Sequence, residues 1–516
     1  MDIFSKIEMM KIHADLLAEN LMGIEKEGLR VARKGGISQA AHPKIFGCAL
    51  THPHITTDFS ESLIELVTPP KRSADAALSF LHDTQHYLYQ HLPKDQIFWP
   101  ASMPCVIRGE TYIPIAEYGS SNQGLMKTVY RRGLANRYGS VMQAIAGVHF
   151  NYSFAPDFLD KYRQLLSPNK AFNTFSNEIY MSLTRNVVRF GWLIPYLFGA
   201  SPAVCKSFLK GYHQHSLVEF NASTLYEPYA TSLRMGDIGY QNLAEDEAGV
   251  KANYNSLGHY VNSMQAGMQT ICPEYERFQT NSGENYQQLN SNILQIENEY
   301  YASVRPKPKP DAGHTPLESL LAHGIDYIEL RSLDVNPLLP LGIDASQVYF
   351  LEAFLLFCLL ENSPLISTKE QFDIDNNDQL VAHEGRRPGL KLRHKSAPIT
   401  LKNWGNSLAQ KISACGGLLS LKHQQSVSKI TKAFTTPERT PAAMVLEQMQ
   451  AAELGFFDYT KSLAKQHQQR FLAEKINQKH FAYLDNQAKI SCQAQREIED
   501  SDKVSFDVFL ANYFKR

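Results

Sequence analysis

The sequence predicts an α+β fold, in which an α+β body is followed by a mainly helical region. Up to about residue 345, short β-like runs alternate with helical patterns, and aromatic residues and glycines are frequent. After about residue 362 the chain becomes polar and rich in turns, and beyond Leu401 apolar residues recur at helical spacing. We therefore predict an α+β body over residues 1–361 and a mainly helical region over residues 362–516 that packs on this body.

The composition is that of an ordinary globular protein. Of its 516 residues 43% are hydrophobic and 20% are charged, and this length is ample for a large core. The net charge of −1 includes no basic excess, which argues against nucleic acid or an anionic membrane surface as a partner. The two most apolar windows, residues 190–205 and 348–360, are shorter than the roughly 20 residues of a membrane span, so we predict buried helices there.

The N-terminus and the cysteines predict a cytoplasmic protein. Residues 1–21 have the pattern of an amphipathic helix, without a charged start followed by an apolar stretch, so we expect no secretory signal. The seven cysteines are widely spaced, and none forms a CxxC pair. Such a set fits a reducing compartment and argues against zinc held by thiolates.

Five strand-like segments have a polar face that is mainly acidic. Side chains alternate along a strand, so residues two apart point to the same face. Apolar residues occupy the opposite face in each segment. The polar positions are Glu25 and Glu27, Glu61 and Glu65, His149 and Asn151, Gln295 with Glu297, Glu299 and Tyr301, and Glu329 and Arg331.

The acidic face could either meet water or bind a cation. For any single segment, a sheet face that meets water is the more frequent explanation. A solvated face usually mixes Lys, Thr, Ser and Glu, however, whereas these positions contain few lysines. Like charges on one face repel each other unless a positive charge lies between them. Oxygen ligands with one histidine suit Mg²⁺ or Mn²⁺ rather than zinc, so we predict a divalent cation site.

Residues 122–139, NQGLMKTVYRRGLANRYG, form a basic helical segment with Lys127, Arg131, Arg132 and Arg137. Alone, such a run is typical of a solvated helix face. Beside a carboxylate-held metal cluster, it could neutralise a transferring phosphate. The sequence has no P-loop, no glycine-rich nucleotide motif and no GxSxG motif, so a nucleotide site would depend on metals and arginines. Residues 304–316, VRPKPKPDAGHTP, are predicted to form an exposed loop.

Several motifs, in order from about residue 20 to about residue 345, resemble the proteobacterial type of glutamate–cysteine ligase (γ-glutamylcysteine synthetase). They are GIEKEGLRV, LTHPHITTDFSESLIELVTPP, YRRGLANRYG, MQAIAGVHFNYSF, RNVVRFGWLIPYLFGASPAVC, TSLRMGDIGYQN, LQIENEYYASVRP and GIDYIELRSLDVNPLLPLGID. A shorter match, EGRRPGL, continues the resemblance weakly at residues 384–390. Each motif is modest support alone, whereas the ordered set is strong.

The resemblance implies a glutamine-synthetase-like fold, in which a curved, largely antiparallel sheet forms a cup with helices outside. The body over residues 1–361 would then carry the active-site sheet. The implied reaction joins the γ-carboxylate of L-glutamate to the amine of L-cysteine through a γ-glutamyl phosphate. It consumes ATP, releases ADP and phosphate, and is the first step of glutathione synthesis. Mg²⁺, or Mn²⁺, is the implied cofactor.

The resemblance also implies roles for individual residues. Arg331 and Arg131 are the candidates to contact the transferring phosphoryl group. The implied metal ligands are Glu25, Glu27, Asp58, Glu65, His149 and Glu329. The implied cysteine-binding residues are Phe59, Tyr130, Leu134, Gln143, Arg234, Tyr240 and Tyr301. Tyr301 is preferred to Tyr300 because it shares the expected strand face of Glu297 and Glu299.

One geometric condition follows from these assignments. Asp58 lies seven residues before Glu65, an odd spacing that would put the two carboxylates on opposite faces of a continuous strand. We therefore expect the chain to bend near Asp58 and Phe59.

Two other functions keep the same scaffold. One is a γ-glutamyl ligase that uses a different amine, and the other is a non-catalytic protein that binds metal or an amino acid. Six candidate ligands together with Arg331 argue against the second, since a binding protein needs no multi-metal cluster. A bifunctional enzyme that also completes glutathione is disfavoured, because the chain has no room for a further ATP-binding ligase domain.

Overall fold

A computed structural model describes residues 1–210, 215–239, 250–280, 286–309 and 314–515. Tyr240 therefore lies outside the described residues. The main sheet contains β1 (Leu21–Ala32), β2 (Ile55–Thr57), β3 (Leu63–Val67), β4 (Gln96–Phe98), β5 (Val148–Ser153), β9 (Val304–Lys307) and β10 (Tyr327–Leu333). Its strands are ordered β2-β3-β1-β5-β10-β9, with β4 paired to β1, and all these pairs are antiparallel.

Two smaller sheets and a set of helices surround it. The smaller sheets are β6 (Ala203–Cys205), β7 (Val218–Asn221) and β8 (Thr224–Tyr226), and β11 (Lys391–His394) with β12 (Ala397–Thr400). The helices up to residue 361 are α1 (Ile3–Met10), α2 (Ala74–His91), α3 (Asn122–Tyr138), α4 (Pro156–Leu166), α5 (Phe172–Phe190), α6 (Leu193–Phe198), α7 (Leu257–Gln269), α8 (Pro316–His323) and α9 (Ala345–Leu360). The later helices are α10 (Thr368–Glu384), α11 (Leu401–Leu419), α12 (Leu421–Ile430), α13 (Pro441–Ala451), α14 (Phe456–Ala473), α15 (Gln478–Ser501) and α16 (Phe506–Phe514).

The sheet is apolar on one face, as the alternation predicts. Ile24, Ile64 and Leu66 are fully buried on the core side. Lys26 is also buried on that side, where its ammonium donates to the Gln85 side chain and burial lowers its pKa to about 7. The α+β prediction is confirmed.

The two apolar windows form buried structure. Helix α9 is buried along nearly its whole length, and it packs against α5, α11 and α12. Its one carboxylate, Glu352, is ion-paired with His423 at 3.0 Å, which reduces the cost of its burial. The earlier window contains α6 and β6, whose residues are buried. In the described part of the chain, no helix is both long and apolar enough to cross a membrane.

Two local predictions are wrong. Residues 304–307 form β9 at the edge of the main sheet instead of an exposed loop, and Val304 is fully buried there. The preceding segment, predicted as a strand, turns through a short 3-10 helix, Glu297–Glu299. There the Gln295 N–H donates to the Glu299 carboxylate at 2.6 Å. In a strand, this N–H would instead donate to a backbone carbonyl of the neighbouring strand.

The helical region after residue 361 contains α10 to α16 and the β11–β12 hairpin. Helices α14 and α15 pack against α2, and α16 packs against α3. The division at residues 361 and 362 stays a prediction.

Candidate active site

The inner face of the sheet opens into a cavity of about 1010 Å³. Five predicted metal ligands reach it from four neighbouring strands: Glu25 and Glu27 from β1, Glu65 from β3, His149 from β5 and Glu329 from β10. The strand register accounts for the grouping, because Glu25 is paired with His149 and Glu27 with Glu65 across adjacent strands.

His149 lies at the centre of these carboxylates. Its Nδ1 is 3.0 Å from a Glu25 oxygen and 3.6 Å from a Glu329 oxygen, and its Nε2 is 3.6 Å from Glu27. Neighbouring groups orient the carboxylates: the Asn151 amide donates to Glu25 at 2.7 Å, and the Gly147 N–H donates to Glu27 at 2.6 Å.

Asp58 joins the cavity through the bend that the sequence requires. Strand β2 ends at Thr57, the Asp58 N–H donates to the Leu63 carbonyl at 3.0 Å, and β3 then begins. This tight connection lets Asp58 and Glu65 line the same cavity in spite of their odd spacing. Phe59 also lines the cavity and is 1% exposed.

The pKa values of the carboxylates shift in opposite directions. Burial, followed by repulsion from Glu25, Glu27 and Asp58, raises the pKa of Glu65 well above its usual value. Burial also raises the pKa of Glu27. Burial alone would do the same at Glu329, but Lys307 and Arg331 outweigh it and hold the Glu329 pKa well below its usual value. Acidic charge is therefore in excess near Glu65 and balanced near Glu329.

Basic side chains line the same cavity, and two of them lie beside Glu329. Arg331 is ion-paired with Glu329 at 2.9 Å, and Lys307 is 3.5 Å from the other Glu329 oxygen. Burial lowers the pKa of Arg331, but the surrounding carboxylates raise it by more. The Arg131 guanidinium is held by the Asp58 carbonyl at 2.5 Å and by the Lys127 carbonyl at 3.0 Å.

The motifs did not single out Arg305 and Lys307. Both line the cavity from β9, two residues apart on one face. Arg305 donates to the carbonyls of Asn298 and Tyr300, which keeps its guanidinium in place. The same alternation could have identified the pair if residues 304–307 had been recognised as a strand.

The predicted cysteine-binding residues that the structure describes also line the cavity. Gln143 and Tyr301 are hydrogen-bonded side chain to side chain at 2.8 Å. Arg234 donates to the Arg331 carbonyl at 2.8 Å and lies 3.8 Å from Asp334. The residues of this set that line the cavity are Phe59, Tyr130, Leu134, Gln143, Arg234 and Tyr301.

The remaining acidic positions of the pattern do not reach the cavity. Glu61 precedes β3, and its carboxylate accepts from the backbone N–H groups of His42 and Glu117. Glu299 is buried in an ion pair with Arg137 at 2.9 Å and also accepts from the Tyr138 hydroxyl at 3.0 Å. Burial raises the pKa of Glu297. Tyr301 reaches the cavity although the strand that was expected to direct it there is absent.

Known proteins match both the sequence and the fold. A family model described as "Glutamate-cysteine ligase" matches residues 7–381. The glutamate–cysteine ligase of Alcanivorax borkumensis is 39% identical over 511 residues, which cover 97% of each chain. That of Janthinobacterium sp. (strain Marseille) is 41% identical over 509 residues, covering 98% of this chain and 96% of its own.

Solved structures extend the comparison. The crystal structure of glutamate–cysteine ligase from Francisella tularensis in complex with AMP matches with a TM-score of 0.90 at 32% identity, over 96% of this chain and 97% of that one. A bifunctional glutathione synthetase from Pasteurella multocida has a TM-score of 0.72 at 23% identity, over 92% of this chain and 55% of that one. The second match shows the fold alone.

The cup-shaped sheet with its acidic inner face and these matches define an ATP-dependent carboxylate–amine ligase. More narrowly, the chain belongs to the glutamate–cysteine ligase family. It uses ATP to join L-glutamate to L-cysteine as γ-glutamylcysteine, the first step of glutathione synthesis. The family, the fold and the reaction predicted from the motifs are confirmed, whereas the roles of individual residues stay predictions.

Proposed function

We propose that the acidic inner face binds Mg²⁺, with Mn²⁺ as a substitute, and that this site carries the ATP-dependent reaction. The proposed ligands are Glu25, Glu27, Asp58, Glu65, His149 and Glu329. Carboxylate oxygens with a single imidazole are a donor set that suits these hard cations. When bound, such a cation neutralises phosphate and carboxylate oxygens and acts as a Lewis acid.

Three observations support the fit of a divalent cation. Glu25, His149 and Glu329 each offer a ligand atom, and these atoms lie within 4.8 Å of one another. The Glu329 Oε2 atom is buried and accepts no hydrogen bond from the described residues; the Lys307 ammonium lies 3.5 Å from it. The raised pKa of Glu65 reflects a cluster of carboxylates that has too little positive charge nearby.

Arg331 is proposed to neutralise charge on the γ-phosphoryl group of ATP during its transfer. Its ion pair with Glu329 directs the guanidinium into the cavity. Arg131 is proposed for the same task, since it lines the cavity and the carbonyls of Asp58 and Lys127 hold its guanidinium. Attack of the glutamate γ-carboxylate on this phosphorus gives γ-glutamyl phosphate and ADP, and most of the catalysis comes from positioning and charge neutralisation.

The cysteine substrate is proposed to bind at the wall that contains Tyr130, Gln143 and Tyr301. Aromatic and aliphatic side chains suit its small thiol, and the Arg234 guanidinium suits its carboxylate. Tyr240 belongs to the same proposal but lies outside the described residues. The cysteine amine, once deprotonated, displaces phosphate from γ-glutamyl phosphate to form the amide.

One observation supports the proposal most strongly: all six proposed ligands, both arginines and six of the seven proposed cysteine contacts line one cavity. The substrates are L-glutamate, L-cysteine and ATP, without a nucleic-acid or membrane partner. Seven free cysteines, among the residues that the structure describes, support the proposed cytoplasmic location.

Release of ADP tests the proposal directly. We expect release only when glutamate, cysteine and Mg²⁺ are all present, and we expect Glu329→Gln to abolish it. Glu438→Gln, at an exposed position outside the cavity, serves as the control. Near-normal turnover by Glu329→Gln with Mg²⁺ would refute the proposed ligand set. Comparing cysteine with 2-aminobutyrate and other amines then measures how strictly the acceptor is chosen.

A further inference from the structure

The end of the chain forms an outer wall of the active-site cavity. Asp502 and Val504 line the cavity from the link between α15 and α16. Helix α16 adds Phe509, Asn512 and Tyr513. No motif of the sequence assigned a function to this region, which lies beyond the residues that the family model matches.

Hydrogen bonds fasten the link to the start of α3. The Asn122 N–H donates to the Asp502 carboxylate at 2.5 Å, and the Asn122 side-chain amide donates to the Val504 carbonyl at 3.0 Å. Asn122 is the first residue of α3, where the helix dipole favours a carboxylate. On α16 itself, Asp507 accepts from the Tyr286 hydroxyl.

Leu510 is the buried apolar contact of α16, and Phe506 and Phe509 of the same helix also pack on its cluster. Leu510 is 5% exposed and packs in this small cluster with Val129, Tyr286 and Leu289. Among the described residues, this cluster is separate from the main core of the protein. A helix that is held by a small satellite cluster can open locally without unfolding the body.

The cluster around Leu510 contacts two segments that line the proposed cysteine pocket. Val129 belongs to α3 and directly precedes Tyr130, which itself packs on the cluster. Tyr286 and Leu289 belong to the segment that continues to Tyr301, and Ile296 of that segment also packs on the cluster. Tyr130 and Tyr301 also pack against the main core, so displacing α16 would remove some, but not all, of the contacts that hold Tyr130 and the segment that carries Tyr301.

We propose that α16, docked through Leu510, is a positioning element for the acceptor side of the active site. This inference rests on the proposed function, because it takes Tyr130 and Tyr301 as walls of the cysteine pocket. Leu510 does not itself line the cavity, so its effect would pass through the residues that it holds. Removing it should weaken cysteine binding and leave the chemistry at the sheet intact.

The test compares Leu510→Ala with Val508→Ala in the full-length enzyme. Val508 lies on the same helix, is 46% exposed and does not line the cavity. We expect Leu510→Ala to raise the KM for cysteine about tenfold with kcat changed less than about twofold, the pattern of lost uniform binding. The KM values for ATP and glutamate should stay within about twofold of wild type, and Val508→Ala should match wild type throughout.

Hydrogen exchange of the α16 amides reports whether the helix has loosened. Tyr286→Phe provides a milder variant, which removes only the hydroxyl that donates to Asp507 and should produce a smaller change in the same direction. If either variant loosens α16 without a rise in the cysteine KM, the inference is wrong. Unchanged protection of α16 in both variants would also overturn it, as would a KM increase confined to ATP or glutamate.

The wild-type enzyme separates failure of this inference from failure of the proposed function. Suppose that wild-type ADP release needs both glutamate and cysteine but that Leu510→Ala behaves like wild type. That result would overturn the positioning role of α16 alone. Absence of cysteine-dependent ADP release in the wild type would instead overturn the proposed function on which the inference rests.

Discussion

Two walls of one cavity are built in different ways. Residues on four neighbouring strands form the acidic wall, so the backbone ladder sets the direction of each side chain. The acceptor wall combines Phe59 from the turn after β2, helix α3, the 286–303 segment and helix α16. Side-chain hydrogen bonds, a buried ion pair and a small apolar cluster hold those pieces together. Substitutions at the first wall should therefore affect chemistry, and substitutions at the second should affect positioning.

The largest effect is expected at the acidic wall. Arg331→Ala should lower kcat for ADP release by about 10³-fold, because it removes charge neutralisation from the transferring phosphoryl group. Lys309→Ala, at an exposed position outside the cavity, should behave like wild type. The measurement is steady-state ADP release at saturating substrates. A change confined to KM values would mean that Arg331 contributes binding in place of catalysis.

A large effect on stability is expected behind the acceptor wall. Glu299→Gln should lower the free energy of unfolding by about 3 kcal/mol, because Arg137 would be left as a buried charge without its partner. Glu297→Gln is the matched control, two residues away. Burial raises the pKa of Glu297, so its neutral replacement should cost less than about 1 kcal/mol. Urea unfolding of both variants provides the comparison, and equal losses would contradict it.

A smaller effect on substrate binding is expected within the acceptor wall. Tyr301→Phe removes the hydroxyl that is hydrogen-bonded to Gln143 and should raise the KM for cysteine about fivefold, the equivalent of roughly 1 kcal/mol. Tyr300→Phe serves as the neighbouring control, because Tyr300 does not line the cavity. A larger cysteine effect at Tyr300 would reverse the choice between the two tyrosines.

The smallest expected effect is a pH dependence of the free energy of unfolding. It comes from contacts of His383 with residues 227 and 237, on either side of Arg234. His383 of α10 is 2.8 Å from Glu227 and 3.1 Å from Asp237. Burial lowers the pKa of His383, but its hydrogen bonds to Asp237 and Glu227 outweigh burial and raise it to about 9. This raised pKa stabilises the fold below about pH 6.5, and the stabilisation disappears as the pH rises towards 9.

His383→Gln should therefore cost about 1 kcal/mol at pH 6 and progressively less towards pH 9.5. Burial instead lowers the pKa of His394, so a His394→Gln variant should show the opposite trend. Urea unfolding at the two pH values measures both trends. A cost of His383→Gln that is constant with pH would show that the imidazole is not protonated in the folded protein.

Alternation along strands predicted the acidic wall well. Local spacing placed Glu25, Glu27, His149 and Glu329 on polar strand faces, and all four line the cavity, because a strand determines side-chain direction without reference to the rest of the chain. The same reasoning failed at Glu299. A buried partner, Arg137, approaches it from α3, which is distant in sequence, and alternation contains no information about such a partner.

The sequence by itself determined the α+β class, the family, the reaction and the acidic face of the sheet, because these follow from local periodicity and ordered motifs. The tertiary structure decided that Arg305 and Lys307 belong to the cavity and that Glu61 and Glu299 do not. It also brought α16, at the far end of the chain, beside Tyr130. The physical reason is that the partners of buried charges and small apolar clusters come from distant segments, and only the folded chain brings them together.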